Sequence, residues 1–102
     1  MTYSFRLTRT SDAHSPAHLY RGEVDGQYEV FLILDERSDS ICPADSNGVP
    51  IPALRMSLSG GSLSGSSQKR DTVRGFPLLA AHLAAEWQRR GQPPQEVRKY
   101  FG

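Results

Sequence analysis

His14 and His18 stand four residues apart, a spacing that on a helix brings two imidazoles to one zinc ion. Ser15-Pro16 lies between them, and no cysteine pair or HExxH frame accompanies them. They read as turn histidines in contact with solvent, and no metal site is assigned. Cys42, the one cysteine, excludes an internal disulfide. It becomes a thiol–imidazole nucleophile only if folding brings His14, His18 or His82 against it. Nothing beside it resembles a nucleophile elbow or a helix N-terminus that lowers a thiol pKa, so it reads as a small apolar filler. Asp35, Glu36, Asp39 and Asp45 supply the oxygens a hard cation needs. Their stretch lacks the alternation and central glycine of a calcium loop. It reads as a solvated charged segment that ends an apolar strand and guards it against aggregation.

Gly60, Gly61 and Gly65 precede Lys69-Arg70 shortly before a helix, an order in which backbone N–H groups can cradle phosphate. No Gly-Lys-Ser/Thr is present, so this is not a Walker-type nucleotide loop. His82 and Glu86 lie four apart on that helix but off its apolar stripe, and are expected at its margin or in solvent. Trp87 completes the stripe and reads as a core anchor rather than a ligand platform. No catalytic residue, metal ligand or cofactor is therefore expected.

What remains is charge. The net charge of +1 conceals an asymmetry. Residues 1–66 carry five basic side chains against eight acidic ones, a balance of −3, and residues 67–102 carry seven against three, a balance of +4. Ten of the twelve basic residues are arginine, which a GC-rich bacterial or phage genome produces and which also suits planar contacts to phosphate or carboxylate. Arg70, Arg74, Arg89, Arg90, Arg98 and Lys99 are the expected partner-binding residues, a basic surface for an acidic or phosphate-bearing partner.

These groups sit on a chain of 102 residues, a single domain with a β-rich segment 1–67 and a helical, basic segment 68–102. Tyr3, Phe5 and Leu7 alternate with polar residues, the period of a strand with one buried face. His18–Val24 and Gln27–Leu34 flank Asp25-Gly26, a strong hairpin signal because a type I′ turn needs positive φ at both central residues. The second of these strands is apolar on both faces and belongs centrally in its sheet. Residues 35–52, punctuated by Pro43, Asn47-Gly48, Pro50 and Pro52, read as a long loop. Leu54, Met56 and Leu58 alternate again. A turn at Gly60-Gly61 would then set Leu58 opposite Leu63. Phe76, Leu79, Leu83 and Trp87 form one helical stripe from about Phe76 to Arg90, with Pro77 in the first turn and Gly91 at the stop. Pro94–Tyr100 reads as a short terminal helix. The expected fold is α+β: a four- or five-stranded, mostly antiparallel sheet with one amphipathic helix packed on a face and a short helix after it.

Function is expected by elimination. No apolar run approaches the roughly 18 residues of a membrane span, and the alternating N-terminus is not a secretory signal. The chain reads as a small cytoplasmic, non-enzymatic accessory protein of bacterial or phage type. Its partner is a macromolecule, either a protein or a protein–nucleic acid complex. One specific form is an inhibitor of a nucleic-acid-handling complex such as a host-defence nuclease of the CRISPR type. The alternative is a nucleic-acid-binding module using the basic C-terminal third, although paired stacking aromatics and a helix-turn-helix signature are both missing.

Overall fold

Period-two alternation dominates the first two-thirds of the chain, and it folds as one antiparallel sheet. The computed structural model describes residues 3–10, 17–26, 28–51, 54–65 and 76–101. Among these the chain forms β1 (Tyr3–Arg9), β2 (Ala17–Val24), β3 (Tyr28–Asp35), β4 (Ser40–Ala44), β5 (Leu54–Ser57), β6 (Leu63–Gly65), α1 (Phe76–Arg90) and β7 (Glu96–Phe101). The strands run in the order β6-β5-β4-β3-β2-β1-β7, every neighbouring pair antiparallel. The α+β class is as expected. The sheet has seven strands among the described residues, not four or five, and α1 is the one helix among them.

Two segments account for the difference. The expected 35–52 loop contains β4, which doubles back on β3 with Leu34 opposite Ile41 and Ile33 opposite Cys42. The turn between them is closed by side chains. Asp35 Oδ1 accepts the Arg37 N–H at 2.9 Å, and Asp39 takes a positive φ of 54°. Pro43 has no N–H to give, but its carbonyl accepts the Ile51 N–H. The second segment is the expected terminal helix, which is instead strand β7 along the free edge of β1, with Val97 opposite Leu7. Val97, Tyr100 and Phe101 are β-prone, and the open edge of β1 offers them a ladder of partners.

The first hairpin has positive φ at both Asp25 (55°) and Gly26 (67°), as its sequence requires. Asp25 also fastens the turn to β1: its N–H donates to the Ser4 carbonyl and its carboxylate accepts the Ser4 N–H. The second hairpin is shifted by two residues from the expected register. Met56, not Leu58, faces Leu63, and the turn is closed by Ser57 N–H on the Ser62 carbonyl. A two-residue shift keeps every side chain on its face. It also releases Leu58 from the strand into the core, where it is fully buried. Asp39 holds this turn by accepting the Ser57 and Ser59 hydroxyls and the Ser59 N–H.

Strand β3 is fourth of the seven, and both its faces are covered in part. Val30, Leu32 and Leu34 are buried on the helix side, while Phe31 and Ile33 are half-buried on the other. Helix α1 spans the expected residues and buries Phe76, Leu79, Ala80, Leu83 and Ala84 against Phe5, Leu7, Tyr20, Leu32, Ile41, Met56 and Val97. It stops at Gly91, whose φ is 72° and whose N–H donates to the Trp87 carbonyl. At Gly22 the helix comes close to the sheet. A Cβ there would lie 3.1 Å from Leu7, from Leu79 and from the Val30 carbonyl oxygen. Beyond the helix, the Tyr20 hydroxyl donates to the Pro94 carbonyl. Arg9 donates to the Pro93 carbonyl and to Gln95.

Two leucines of α1 test this packing. Leu83→Ala is expected to cost about 2–5 kcal/mol in a urea melt, whereas Leu78→Ala costs under about 1 kcal/mol, because Leu78 is 39% exposed. Gly22→Ala is expected to cost about 1–3 kcal/mol by overpacking, even though alanine lowers the entropy of the unfolded chain. Equal effects at Leu78 and Leu83 would contradict the buried stripe.

Candidate interaction surface

Glu86 lies on α1 three residues before Arg89 and four before Arg90, so all three side chains share one face of the last turns. That face meets β7, where alternation turns Val97 and Lys99 towards the helix. The four groups converge. Arg89 Nη2 and Arg90 Nε both donate to Glu86 Oε2, at 2.5 and 3.0 Å, and Lys99 Nζ stands 3.8 Å from Oε1. Glu86 is therefore buried, not at the solvent margin its spacing suggested. Its three cations keep their outer surfaces in water, with 66%, 46% and 40% of the Arg89, Arg90 and Lys99 side chains exposed. Three positive charges face one negative charge, and the surplus points outward.

The electrostatics follow from this arrangement. Burial pushes the Glu86 carboxyl up, but the Arg89 hydrogen bond and the charges of Arg89, Arg90 and Lys99 together outweigh it and hold the group below the usual carboxylate range. His82, one turn earlier, is half-buried with its ring centroid 5.0 Å from that of Phe5. Burial lowers its pKa, the Lys99 charge lowers it further, and Glu86 opposes both.

Of the other expected basic residues only Arg98 is among the described ones, and it does not join this cluster. Arg70 and Arg74 lie outside the described residues. Arg98 is on the opposite face of β7, paired with Glu96 at 3.0 Å and placed beside Arg6, which reaches the same Glu96 at 3.6 Å. Further along that face Arg21 bridges Glu23 and Glu29, at 2.8 and 2.6 Å. On this part of the face Arg6, Arg21 and Arg98 are engaged with Glu23, Glu29 and Glu96. A depression of about 190 Å³ opens there, with Arg6 and Arg98 on one wall and Glu23 and Asp25 on the other.

The candidates for chemistry separate as well. His18 is a correction: it is 3% exposed in β2, opposite Leu34, and not in a solvated turn. Its Nδ1 has no hydrogen-bond partner. Burial lowers its pKa, with Arg9 adding to the effect and Glu36 and Asp35 opposing it. The alternation His18, Tyr20, Gly22, Val24 carried this signal, since it puts the imidazole on the buried face. His14 lies outside the described residues. Cys42 is half-buried opposite Ile33 on the other face of the sheet, where burial pushes its thiol pKa up and away from nucleophilic use. The carboxylates of the 35–45 stretch serve turns and contacts. Asp45 accepts the Asn47 and Val49 N–H groups, and Glu36 accepts the Trp87 indole N–H at 3.1 Å. Asp39 already fills the Ser57–Ser62 turn with negative charge, which argues against phosphate there; Lys69 and Arg70 lie outside the described residues. Trp87 packs against the core as an anchor.

Among the described residues no group of three His, Cys, Asp or Glu side chains is arranged to hold a metal ion, and no helix is long and apolar enough to cross a membrane. No family model, curated protein or solved structure matches the chain. The functional reading therefore stands on the site itself.

Acid should destabilise the fold in two steps. Folded His18 and His82 resist protonation relative to the ordinary value of 6.5, so the unfolded chain gains protons first and stability falls as pH drops below about 6.5. Glu86 is held as carboxylate, so its contribution is present above its ordinary value of 4.5 and lost as pH falls below it. Urea melts at pH 7.5, 5.5 and 3.5 read both. His18→Leu is expected to be at least as stable at pH 7.5, because it removes an unpaired buried nitrogen, and to shrink the first step. A first step unchanged in this variant would remove His18 from the account.

Proposed function

We propose that this protein is a non-enzymatic accessory protein that docks on an acidic patch of a macromolecular partner through Arg89, Arg90 and Lys99. The observation that carries the reading is the convergence of three half-exposed cations on the single buried carboxylate of Glu86. Long basic side chains normally lose rotamer freedom when they bind, and these three are already held in place. Arginine adds a planar donor fork that fits carboxylate or phosphate.

Among the described residues the cluster holds three cations, and that number favours a protein surface over a nucleic-acid strand. Tight nucleic-acid binding draws on a track of about 6–10 phosphate contacts, whereas Arg98 lies on the other face with its charge engaged. In the inhibitor form of this reading the contact is with an acidic surface of the defence complex. Its nucleic-acid channel is the wrong target, because a channel that holds phosphates is itself basic and repels this cluster.

A pull-down from the source cell, followed by titration of the recovered partner, tests the proposal. The variant to compare is Arg89→Glu with Lys99→Gln, leaving Arg90 to hold Glu86. It should lose the complex at least tenfold in affinity, while Arg98→Glu retains it. A mobility shift with duplex DNA at 50 mM salt should show no complex. A DNA complex that weakens roughly 40-fold between 50 and 200 mM, the loss for three phosphate contacts, would favour the nucleic-acid module instead.

A further inference from the structure

Glu86 occupies a position where stability alone favours another residue. It is a carboxylate in the C-terminal half of α1, near the negative end of the helix dipole, and its side chain is only 9% exposed. An apolar residue of similar volume at a buried ion-pair position is commonly as stable or more so. The carboxylate nevertheless does something an apolar side chain cannot. Both arginines donate to the same oxygen, Arg89 through Nη2 and Arg90 through Nε, and Lys99 closes on the other oxygen. Gripping Arg90 by Nε leaves its terminal nitrogens uncommitted to Glu86. Gripping Arg89 by one terminal nitrogen leaves the other and Nε.

We infer that Glu86 is a positioning residue of the docking cluster: its buried carboxylate fixes Arg89, Arg90 and Lys99 in one arc, and that arc fits a compact group of carboxylates on a protein surface. This inference rests on the docking reading above. The alternative role, simple neutralisation of excess charge, predicts the opposite sign. Replacing Glu86 by glutamine raises the local charge by one unit. If Glu86 only neutralises, an anionic probe then binds more tightly. If Glu86 positions, the arginines swing free and the probe binds more weakly despite the stronger field.

The test uses the full chain with two probes, a hexaglutamate peptide and a 12-base-pair DNA duplex, at 50 mM salt. Affinity is read by calorimetry and the arginine Nε–H signals by NMR. Wild type should bind the peptide and show a resolved Arg90 Nε–H resonance. Glu86→Gln should lose that resolved signal and bind the peptide about three- to tenfold more weakly, the range for freeing one or two long side chains. Glu86→Asp, which keeps the charge on a shorter stem, should recover part of the affinity. Equal or tighter binding by a folded Glu86→Gln would overturn the positioning role and leave the docking cluster standing. Unchanged binding by Arg89→Glu would overturn the docking reading itself. Tighter binding of the duplex than of the peptide would overturn the carboxylate partner. If Glu86→Gln does not fold, Arg90→Lys replaces it: charge is conserved and the Nε–H grip is lost. The same weakening is then expected, and unchanged affinity would overturn the inference.

Discussion

The close approach of α1 to the sheet at Gly22 governs most of what else the structure does. With no side chain at that point, Leu79, Leu7 and the Val30 carbonyl all close on the space a Cβ would fill. Phe76 and Leu83 then reach the sheet on either side of it. A helix held further out would leave its single apolar stripe half-covered, and a 15-residue helix does not hold itself together in water without such burial. The sheet depends on the contact in return. Its buried face runs from Val97 on β7 to Met56 on β5, too broad to be shielded by its own strands.

That same depth sets the electrostatics. Once the stripe is seated, the residue at position 86 is carried against β7 and out of water, whatever its type. A carboxylate there survives in charged form only because Arg89, Arg90 and Lys99 reach it. Core packing and the exposed cations are thus one construction, since the helix depth that buries Leu83 also determines where three positive charges meet. The opposite face of the sheet obeys no such constraint, and there arginines and glutamates pair locally at roughly half exposure.

Local signals were legible where they act through the backbone. The Asp25-Gly26 turn, the span of α1, its stop at Gly91 and the central place of β3 all follow from short-range chemistry. Elements that exist because of a distant partner were not legible. Residues 96–101 are a strand because β1 has an open edge, and nothing in the segment Glu96–Phe101 announces that edge. Strand β4 was hidden by Pro43 within it, although Ile41 and Ala44 are buried. The hairpin at residues 57–62 slipped because Leu58 gains more in the core than opposite Leu63, and because Asp39, eighteen residues upstream, supplies the acceptor that holds the looser turn. Of the site, the basic residues were visible as a list, but the carboxylate that gathers three of them was not, because its burial depends on β7.

The charge split between the two parts of the chain shows the same logic at the scale of the surface. Counted along the sequence, the last third is strongly basic. Counted in space, β7 returns that third to the edge of β1, so Arg98 joins the mixed ladder of Arg6, Glu96, Glu23 and Arg21 and its charge is absorbed. The side chain one residue later, Lys99, points to the other face and adds to the Glu86 group. Adjacent residues of one strand thus belong to surfaces of opposite character. A strand alternates faces with every residue, so a basic run on a strand cannot form a single basic surface, whereas Arg89 and Arg90 can act together because consecutive helical positions stay within reach of one carboxylate. The compact patch is therefore a property of the helix end, completed by one side chain from the strand beside it.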